Sequence, residues 1–327
     1  MSAVVENWCR HGTSIEEYIS LVHPKKAKFD AYRDSWSNVQ TGGLRFLLLE
    51  TVSKCNLKCA MCIHSVGYDL VDDMTNELFE IAISNIQKYS IPSICMNQVN
   101  EPLLDKGIID KIKKVVNINS VVDVMMNTNA VLLNQKTSKA IIESGLHRLL
   151  IGFDANTSET FKKVRGASFE KIKNNILEFI NLRNDMKSVF PLVRLSFVRT
   201  SQNEHEVEGW FNYWKDIVDY ITIQEFITPV EDDTRDYLYP IDAFRSAHQL
   251  NTIPVCDQPF MRATLRGNGD VIPCCSHLAT KMPIGNLLVD NDLNNIFMGG
   301  VADSLRKSLI DGNFKSNKIC SSCLGCS

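Results

Sequence analysis

From Arg45 onward, short apolar runs alternate with longer stretches whose apolar residues recur at helical spacing. Six runs read as strands: RFLLLETV (45–52), IPSICMN (91–97), SVVDVMM (120–126), HRLLIGF (147–153), PLVRLSFV (191–198) and DYITIQEF (219–226). They are apolar almost throughout, the pattern of strands covered on both faces. After Thr75, Leu78, Ile81, Ala82 and Ile86 share one helical face; after Phe169, Ile172, Ile176, Phe179 and Ile180 do the same. Asn203 followed by Glu206 has the form of a helix N-terminal capping pair. Six strand-then-helix units predict a parallel α/β sheet, and right-handed crossovers curl such a sheet toward a barrel. Six units are fewer than the eight of a closed barrel, so a partial (β/α)6 barrel is the expected fold.

The pattern changes at both ends. Residues 1–44 are polar and mixed and read as a partly helical extension. Around 229–254 the alternation gives way to acidic, aromatic and proline-containing sequence (EDDTRDYLYP). Beyond it, RATLRGNGDVIPCC predicts a hairpin turning at Asn268-Gly269. LNNIFMGGVADSLRKSLIDG predicts a helix broken at Gly299-Gly300, and ICSSCLGCS is a cysteine-rich end. The expected division is an extension (1–44), a barrel (45–239) and a small C-terminal α+β domain (240–327).

Composition narrows the chemistry. With 44% apolar and 22% charged residues, the chain has a globular balance, not a disordered or fibrous one. A net charge of −3 gives no electrostatic reason to expect nucleic acid or an anionic membrane as partner. No run approaches the roughly 18 apolar residues of a membrane helix, and the first residues lack the apolar core of a signal peptide. A cytoplasmic location is therefore expected, where thiols stay reduced. Eleven cysteines then predict metal or redox chemistry in preference to cross-links. The chain has no P-loop, dinucleotide-binding glycine fingerprint or HExxH helix.

Cys55, Cys59 and Cys62 form CNLKCAMC just after the first strand. Thiolates so spaced can reach one metal centre from a single loop, and strand C-terminal ends are where such folds carry active sites. Three thiolates on a [4Fe–4S] cluster leave one iron open for a reactant; a zinc knuckle borrowing His64 is the alternative. The CxxxCxxC pattern after a first strand, with repeated β/α units, resembles the radical S-adenosylmethionine (radical SAM) enzymes. Asn100-Glu101-Pro102 follows the second strand, where that family has a Gly-Glu-Pro-like motif. Asn127-Thr128-Asn129 ends the third strand, Gly152-Phe153-Asp154 ends the fourth, and Val164-Arg165-Gly166 follows at the family's distance. The resemblance covers about 45–228.

That resemblance implies roles. Cys55, Cys59 and Cys62 would ligate the cluster, whose open iron would chelate S-adenosylmethionine (SAM). Glu101 would accept a hydrogen bond from the methionyl amine, and the backbone of Met61, a position usually aromatic in the family, would meet the adenine. Asn129 would belong to the same cofactor site. Asp154 and Arg165 would hold the ribose or the methionyl carboxylate; a strand-end cap and a helix-end ion pair are their structural alternatives. A flavodoxin- or ferredoxin-type protein would deliver electrons.

The second cysteine group is C-terminal. Cys256, Gly269, Cys274 and the Cys320/Cys323 pair resemble the auxiliary-cluster domains of such enzymes, the one-cluster twitch and the two-cluster SPASM forms. With six cysteines at or after 256, where the longer form needs seven, one auxiliary [4Fe–4S] cluster is expected on Cys256, Cys274, Cys320 and Cys323. Cys326 rivals Cys323, and a zinc ribbon is the alternative. Cys275 reads as a buried thiol or a hydrogen-atom donor, and Cys9 and Cys95 as packing residues.

By resemblance, the one-cluster form includes an aminocyclitol alcohol dehydrogenase, and residues 1–44 look too short for a leader-peptide-binding domain. The expected function is a radical SAM oxidoreductase. A 5′-deoxyadenosyl radical would take hydrogen from a small polar substrate, carbohydrate- or cyclitol-like, and the auxiliary cluster would accept an electron. Arg235 is the candidate to stabilise a substrate alkoxide, with a surface ion pair to Asp232 or Asp236 as its alternative. Other readings are a redox-neutral epimerase with Cys275 or Cys326 as hydrogen donor, a peptide- or protein-modifying enzyme, and a zinc-binding interaction protein.

Overall fold

Each of the six apolar runs contains a strand. The computed structural model describes residues 7–36, 43–226, 235–240 and 256–323. The six strands are β2 (Phe46–Leu49), β3 (Ser93–Cys95), β4 (Asp123–Thr128), β5 (Arg148–Gly152), β6 (Leu192–Arg199) and β7 (Tyr220–Glu225). They are parallel and adjacent in chain order. Helices such as Asn76–Lys88 and Phe169–Asp185 connect them, their first turns capped by the Thr75 and Ser168 hydroxyls. Side chains alternate across the sheet. Leu47, Leu49, Ile94, Met96, Val124, Met126, Leu149 and Ile151 face outward into the main core beneath the helices. Phe46, Leu48, Cys95 and Met125 meet on the inner face as a separate cluster.

The sheet is longer than six strands. Strand β1 (Asn7–Cys9) pairs antiparallel with β7. At the other edge β8 (Arg262–Leu265) runs parallel to β2, with Leu48 opposite Thr264. Strands β9 (Asp270–Ile272) and β10 (Gly285–Asn286) complete a ten-stranded sheet. The β8–β9 hairpin turns where expected, with Gly269 at φ +89°, a conformation that favours glycine. The helix broken at Gly299-Gly300 is two helices, Leu293–Phe297 and Gly300–Ile310. The C-terminal strands thus extend the barrel's own sheet, and Ala263, Leu265, Val271, Ile296 and Phe297 join the main core. Buried Arg266 fastens this junction: its Nε donates to Glu50 Oε2 at 2.9 Å, just past the end of β2.

The Asn203/Glu206 pair does not form the expected cap. The Asn203 side-chain oxygen accepts from Thr200 N and Oγ1, and its amide donates to the Asp154 and Val198 carbonyls. The Glu206 carboxylate instead accepts from Asn156 N and from Thr157 N and Oγ1. The spacing is right, but Asn203 is taken up by the preceding Thr200 and Val198 and by Asp154, and Glu206 by the loop at 156–157.

Helices Ile15–Val22 and Lys26–Asp34 close the N-terminal end of the barrel: Ile19, Phe29 and Tyr32 pack on Val122, Leu192 and Tyr220. The His23 and His147 rings meet there at 4.8 Å, tilted by 44°, and Val124 N donates to His147 Nδ1 at 2.9 Å. Burial, with neighbouring cations, pushes His147 down to about 3. The folded protein therefore keeps this imidazole neutral while the unfolded chain protonates it below about 6.5. Its contribution to stability should be intact above that pH and fall by about 1.4 kcal/mol per unit on acidification. Denaturant melts between pH 7 and 5 should show this slope, and His147→Asn should flatten it.

Candidate active site

The loop after β2 crosses the C-terminal ends of the parallel strands and carries Cys55, Cys59 and Cys62. Arg235 Nη1 donates to the Cys62 carbonyl at 2.9 Å, and Ala60 N donates to Val164 O at 2.8 Å. Cys62 N also donates to Cys59 O at 2.9 Å. These bonds shape the loop around a cavity of about 210 Å³. All three cysteines, Met61, Glu101, Asn129 and Arg165 line it, with Asn97, Asn127, Gly152 and Ser196 from the sheet. Burial pushes the Cys55 thiol up and the Cys59 thiol to about 11.

Glu101 is buried, and its carboxylate is held by three donors. Oε1 accepts from Leu103 N at 3.1 Å and Thr128 Oγ1 at 2.8 Å; Oε2 accepts from Asn129 N at 2.7 Å. Burial raises its affinity for a proton, and these bonds oppose that. A carboxylate oriented on a cavity wall can accept from a cation placed inside. The Asn129 amide donates to Asn56 Oδ1 at 2.7 Å and reaches Cys55 Sγ at 3.8 Å, tying the cysteine loop to β4.

Arg165 reaches the cavity from the end of helix Ser158–Arg165. Burial disfavours its charge, but Asp154 and the nearby thiols more than offset this and keep it protonated. Asp154 is fully buried behind it, paired with Arg165 Nε and accepting from Val198 N at 2.6 Å. Asp154 is not among the residues lining the cavity. A Cβ at position 152 would collide with the Arg165 guanidinium, so only glycine leaves room for it there.

Other sequence-derived candidates lie elsewhere. Arg235 is buried against the cysteine loop and is not a lining residue. His64 is not one either; its ring lies 4.9 Å from Tyr68 and its Nε2 is buried without a partner. Cys275 is exposed, correcting the expectation of a buried thiol, and its Sγ lies 3.7 Å from Gln258 Oε1. It lies just past β9, beyond the strand's end, and its neighbour Cys274, not Cys275, lines the pocket of the second thiol group.

Cys256, Cys274 and Cys320 line a second, smaller pocket of about 30 Å³, walled by Pro259, Met282, Leu305, Leu309 and Ile319. The Cys274 carbonyl accepts from Thr264 Oγ1 at 3.1 Å, which anchors it to β8. Cys323 ends helix Lys318–Cys323, one turn after Cys320; its side chain, like all of Cys326, lies outside the described residues. Among the described residues, no three Cys, His, Asp or Glu side chains converge as a single metal ion would require. Both thiol groups instead spread over a cavity wall, which fits a cluster whose thiolates each take a different iron.

A family model for the radical SAM superfamily matches residues 49–207, and one for an iron–sulfur cluster-binding (SPASM) domain matches 256–326. The chain belongs to the radical SAM superfamily. This radical SAM enzyme accordingly uses SAM and a [4Fe–4S] cluster, and its SPASM domain carries auxiliary iron–sulfur chemistry. It is 27% identical to a probable GTP 3′,8-cyclase of Methanocaldococcus jannaschii, over 67% of this chain and 71% of that protein. Its fold is similar to that of BtrN in complex with AdoMet and 2-DOIA (17% identity, TM-score 0.53, 85% of this chain and 91% of that one). It is also similar to Streptococcus suis SuiB bound to the precursor peptide SuiA (12% identity, TM-score 0.63, 86% and 71%). No helix among the described residues is long and apolar enough to cross a membrane.

Several residues that build this radical SAM site escaped the sequence reading. Asn97 and Ser196 line the cavity, yet neither belongs to a recognisable motif, and Asn127 stands in one without a role of its own. Strand parity could have found Asn127, because it shares a face with Met125. Gly152 was quoted only as part of a motif, and its need to be glycine depends on where Arg165 arrives from.

Proposed function

We propose that this radical SAM enzyme oxidises a small, polar, hydroxylated substrate by two electrons. Cys55, Cys59 and Cys62 hold the SAM-binding cluster, Glu101 accepts from the methionyl ammonium, and Arg165, steadied by Asp154, binds the methionyl carboxylate or ribose. Met61 offers backbone to the adenine, and Asn129 fixes the cysteine loop. When bound and reduced by a flavodoxin- or ferredoxin-type donor, the cluster and SAM together supply a 5′-deoxyadenosyl radical able to take hydrogen from an unactivated C–H bond. This chain's residues exclude water, orient the substrate and hold the loop. Asn97, Asn127 and Ser196 offer hydrogen bonds to substrate hydroxyls. Arg235 acts as a positioning residue through the Cys62 carbonyl.

The observation that carries the oxidative reading is the placement of the second thiol group. One of its members, Cys274, follows a hairpin bonded directly to β2, the strand that leads into the first cysteine loop. One auxiliary [4Fe–4S] cluster on Cys256, Cys274, Cys320 and Cys323, or Cys326 in place of the last, would then take the second electron. The functional division is a barrel through residue 239 and a cluster-binding part from 240, with 241–255 outside the described residues.

Mass analysis tests the reaction type. Amino sugars and cyclitols are incubated anaerobically in heavy water with reduced enzyme and SAM. The expected product is two hydrogens lighter, with one SAM consumed per turnover. A product of unchanged formula carrying solvent deuterium at carbon would overturn the oxidative reading.

A further inference from the structure

Six arginines of this barrel, buried or half-buried, fall into two groups. Arg148, Arg165, Arg183 and Arg266 each face a carboxylate: Asp123, Asp154, Asp219 and Glu50. Arg194 and Arg262 do not. Arg194 lies on β6, two residues before Ser196, so both side chains share the inner face. Ser196 lines the cavity, and one two-residue step along a strand is about 7 Å, within an arginine's reach. The Nε of Arg194 is buried with no hydrogen-bond partner, and no ion pair forms to it among the described residues. Arg262 lies on β8 opposite Phe46, its guanidinium 4.4 Å over that ring and its Nε likewise buried and unpartnered.

These two cations face the same interior. Both act on the Cys95 thiol at the centre of the inner-face cluster. The other charges there are Arg148, held by Asp123 at 2.8 Å and Glu16 at 3.6 Å. Three guanidiniums therefore meet two carboxylates. Tyr220, register partner of Arg194, adds a buried hydroxyl without a hydrogen-bond partner. Burial depresses the Arg194 proton affinity, as expected for a cation lacking a counter-ion. An unpaired buried charge is costly, and an anion arriving with the substrate would remove that cost. Forked guanidiniums match the geometry of carboxylate and phosphate.

We propose that Arg194 and Arg262, which do not themselves line the cavity, form an oxyanion site in the barrel interior beneath Ser196 and bind a carboxylate or phosphate carried by the substrate. The assignment of that anion to the substrate rests on the function proposed above; the anion site itself does not.

The test uses the anaerobically reconstituted holoenzyme with SAM present. Thermal melts are followed while sodium phosphate, or separately sodium acetate, replaces sodium chloride at constant ionic strength. A saturable rise in Tm is expected with one of the two anions: phosphate marks a phosphorylated substrate, acetate a carboxylate. Arg194→Gln should abolish the rise, and Arg262→Gln should weaken the apparent affinity at least tenfold. Iron content and the Kd for SAM should stay at wild-type values in both. Without added anion, Arg194→Gln should melt at or above wild type, because it removes an unpaired charge and no bond. Absence of a saturable rise with either anion, a rise that survives Arg194→Gln, or competition between the anion and SAM would overturn the proposal. An Arg194-dependent rise in a protein that fails to bind SAM would leave this site standing and refute the cofactor assignments instead.

Discussion

Replacing Cys55, Cys59 and Cys62 together by alanine is expected to lower iron from about eight to about four atoms per reconstituted chain, two [4Fe–4S] clusters becoming one. The three thiols line one cavity, and Cys256, Cys274 and Cys320 line another built from the C-terminal residues, some two hundred residues later. The two sets share no residue, so one cluster should survive loss of the other. Removing the first set should also abolish SAM binding, because the iron that SAM chelates goes with it. The reciprocal change, Cys256, Cys274 and Cys320 to alanine, should also halve the iron but cost stability. The Cys256 and Cys320 side chains pack with Phe260, Leu305, Leu309 and Phe314. Iron and acid-labile sulfide analysis reads both variants, and unchanged iron in the first would refute the assignment.

Glu101 should show the second large effect, and the structure changes how it must be tested. Its carboxylate satisfies Leu103 N, Asn129 N and Thr128 Oγ1. Glu101→Ala would strand these buried groups at about 1–3 kcal/mol each, so its loss of SAM binding would be mixed with local unfolding. Glu101→Gln keeps the shape and one acceptor oxygen while removing the negative charge. A hydrogen bond to a charged group contributes about 1.5–3 kcal/mol, so the glutamine variant should bind SAM at least tenfold more weakly with its iron intact. Equilibrium dialysis against SAM measures this directly. Wild-type affinity in Glu101→Gln would restrict Glu101 to holding its loop.

Elements that depend on local pattern were legible in the sequence. The strand runs, the Asn268-Gly269 turn and the break at Gly299-Gly300 all follow from periodicity and turn chemistry. Strand β1 was not legible, because three residues have no period and its pairing partner lies over two hundred residues away. Nor was the parallel pairing of β8 with β2, which makes the C-terminal hairpin part of the barrel's sheet. In the site, Cys55, Cys59, Cys62 and Glu101 were readable from spacing and motif. Asp154, for which the sequence offers both a cofactor contact and a structural strand-end role, lies behind Arg165 and pairs with it, a choice of partner that depends on where the helix brings the arginine. The unpaired state of Arg194 could not be read at all, because pairing of a buried charge depends on the opposite wall of the barrel.

The central claim is that the cysteine loop at the barrel mouth supports reductive cleavage of SAM. The direct measurement is 5′-deoxyadenosine released when the reconstituted protein is incubated anaerobically with dithionite and SAM, beside the Cys55, Cys59, Cys62→Ala variant. The account predicts 5′-deoxyadenosine from the wild type and none from the variant. Equal amounts from both, or none from a wild type carrying its full iron, would contradict it.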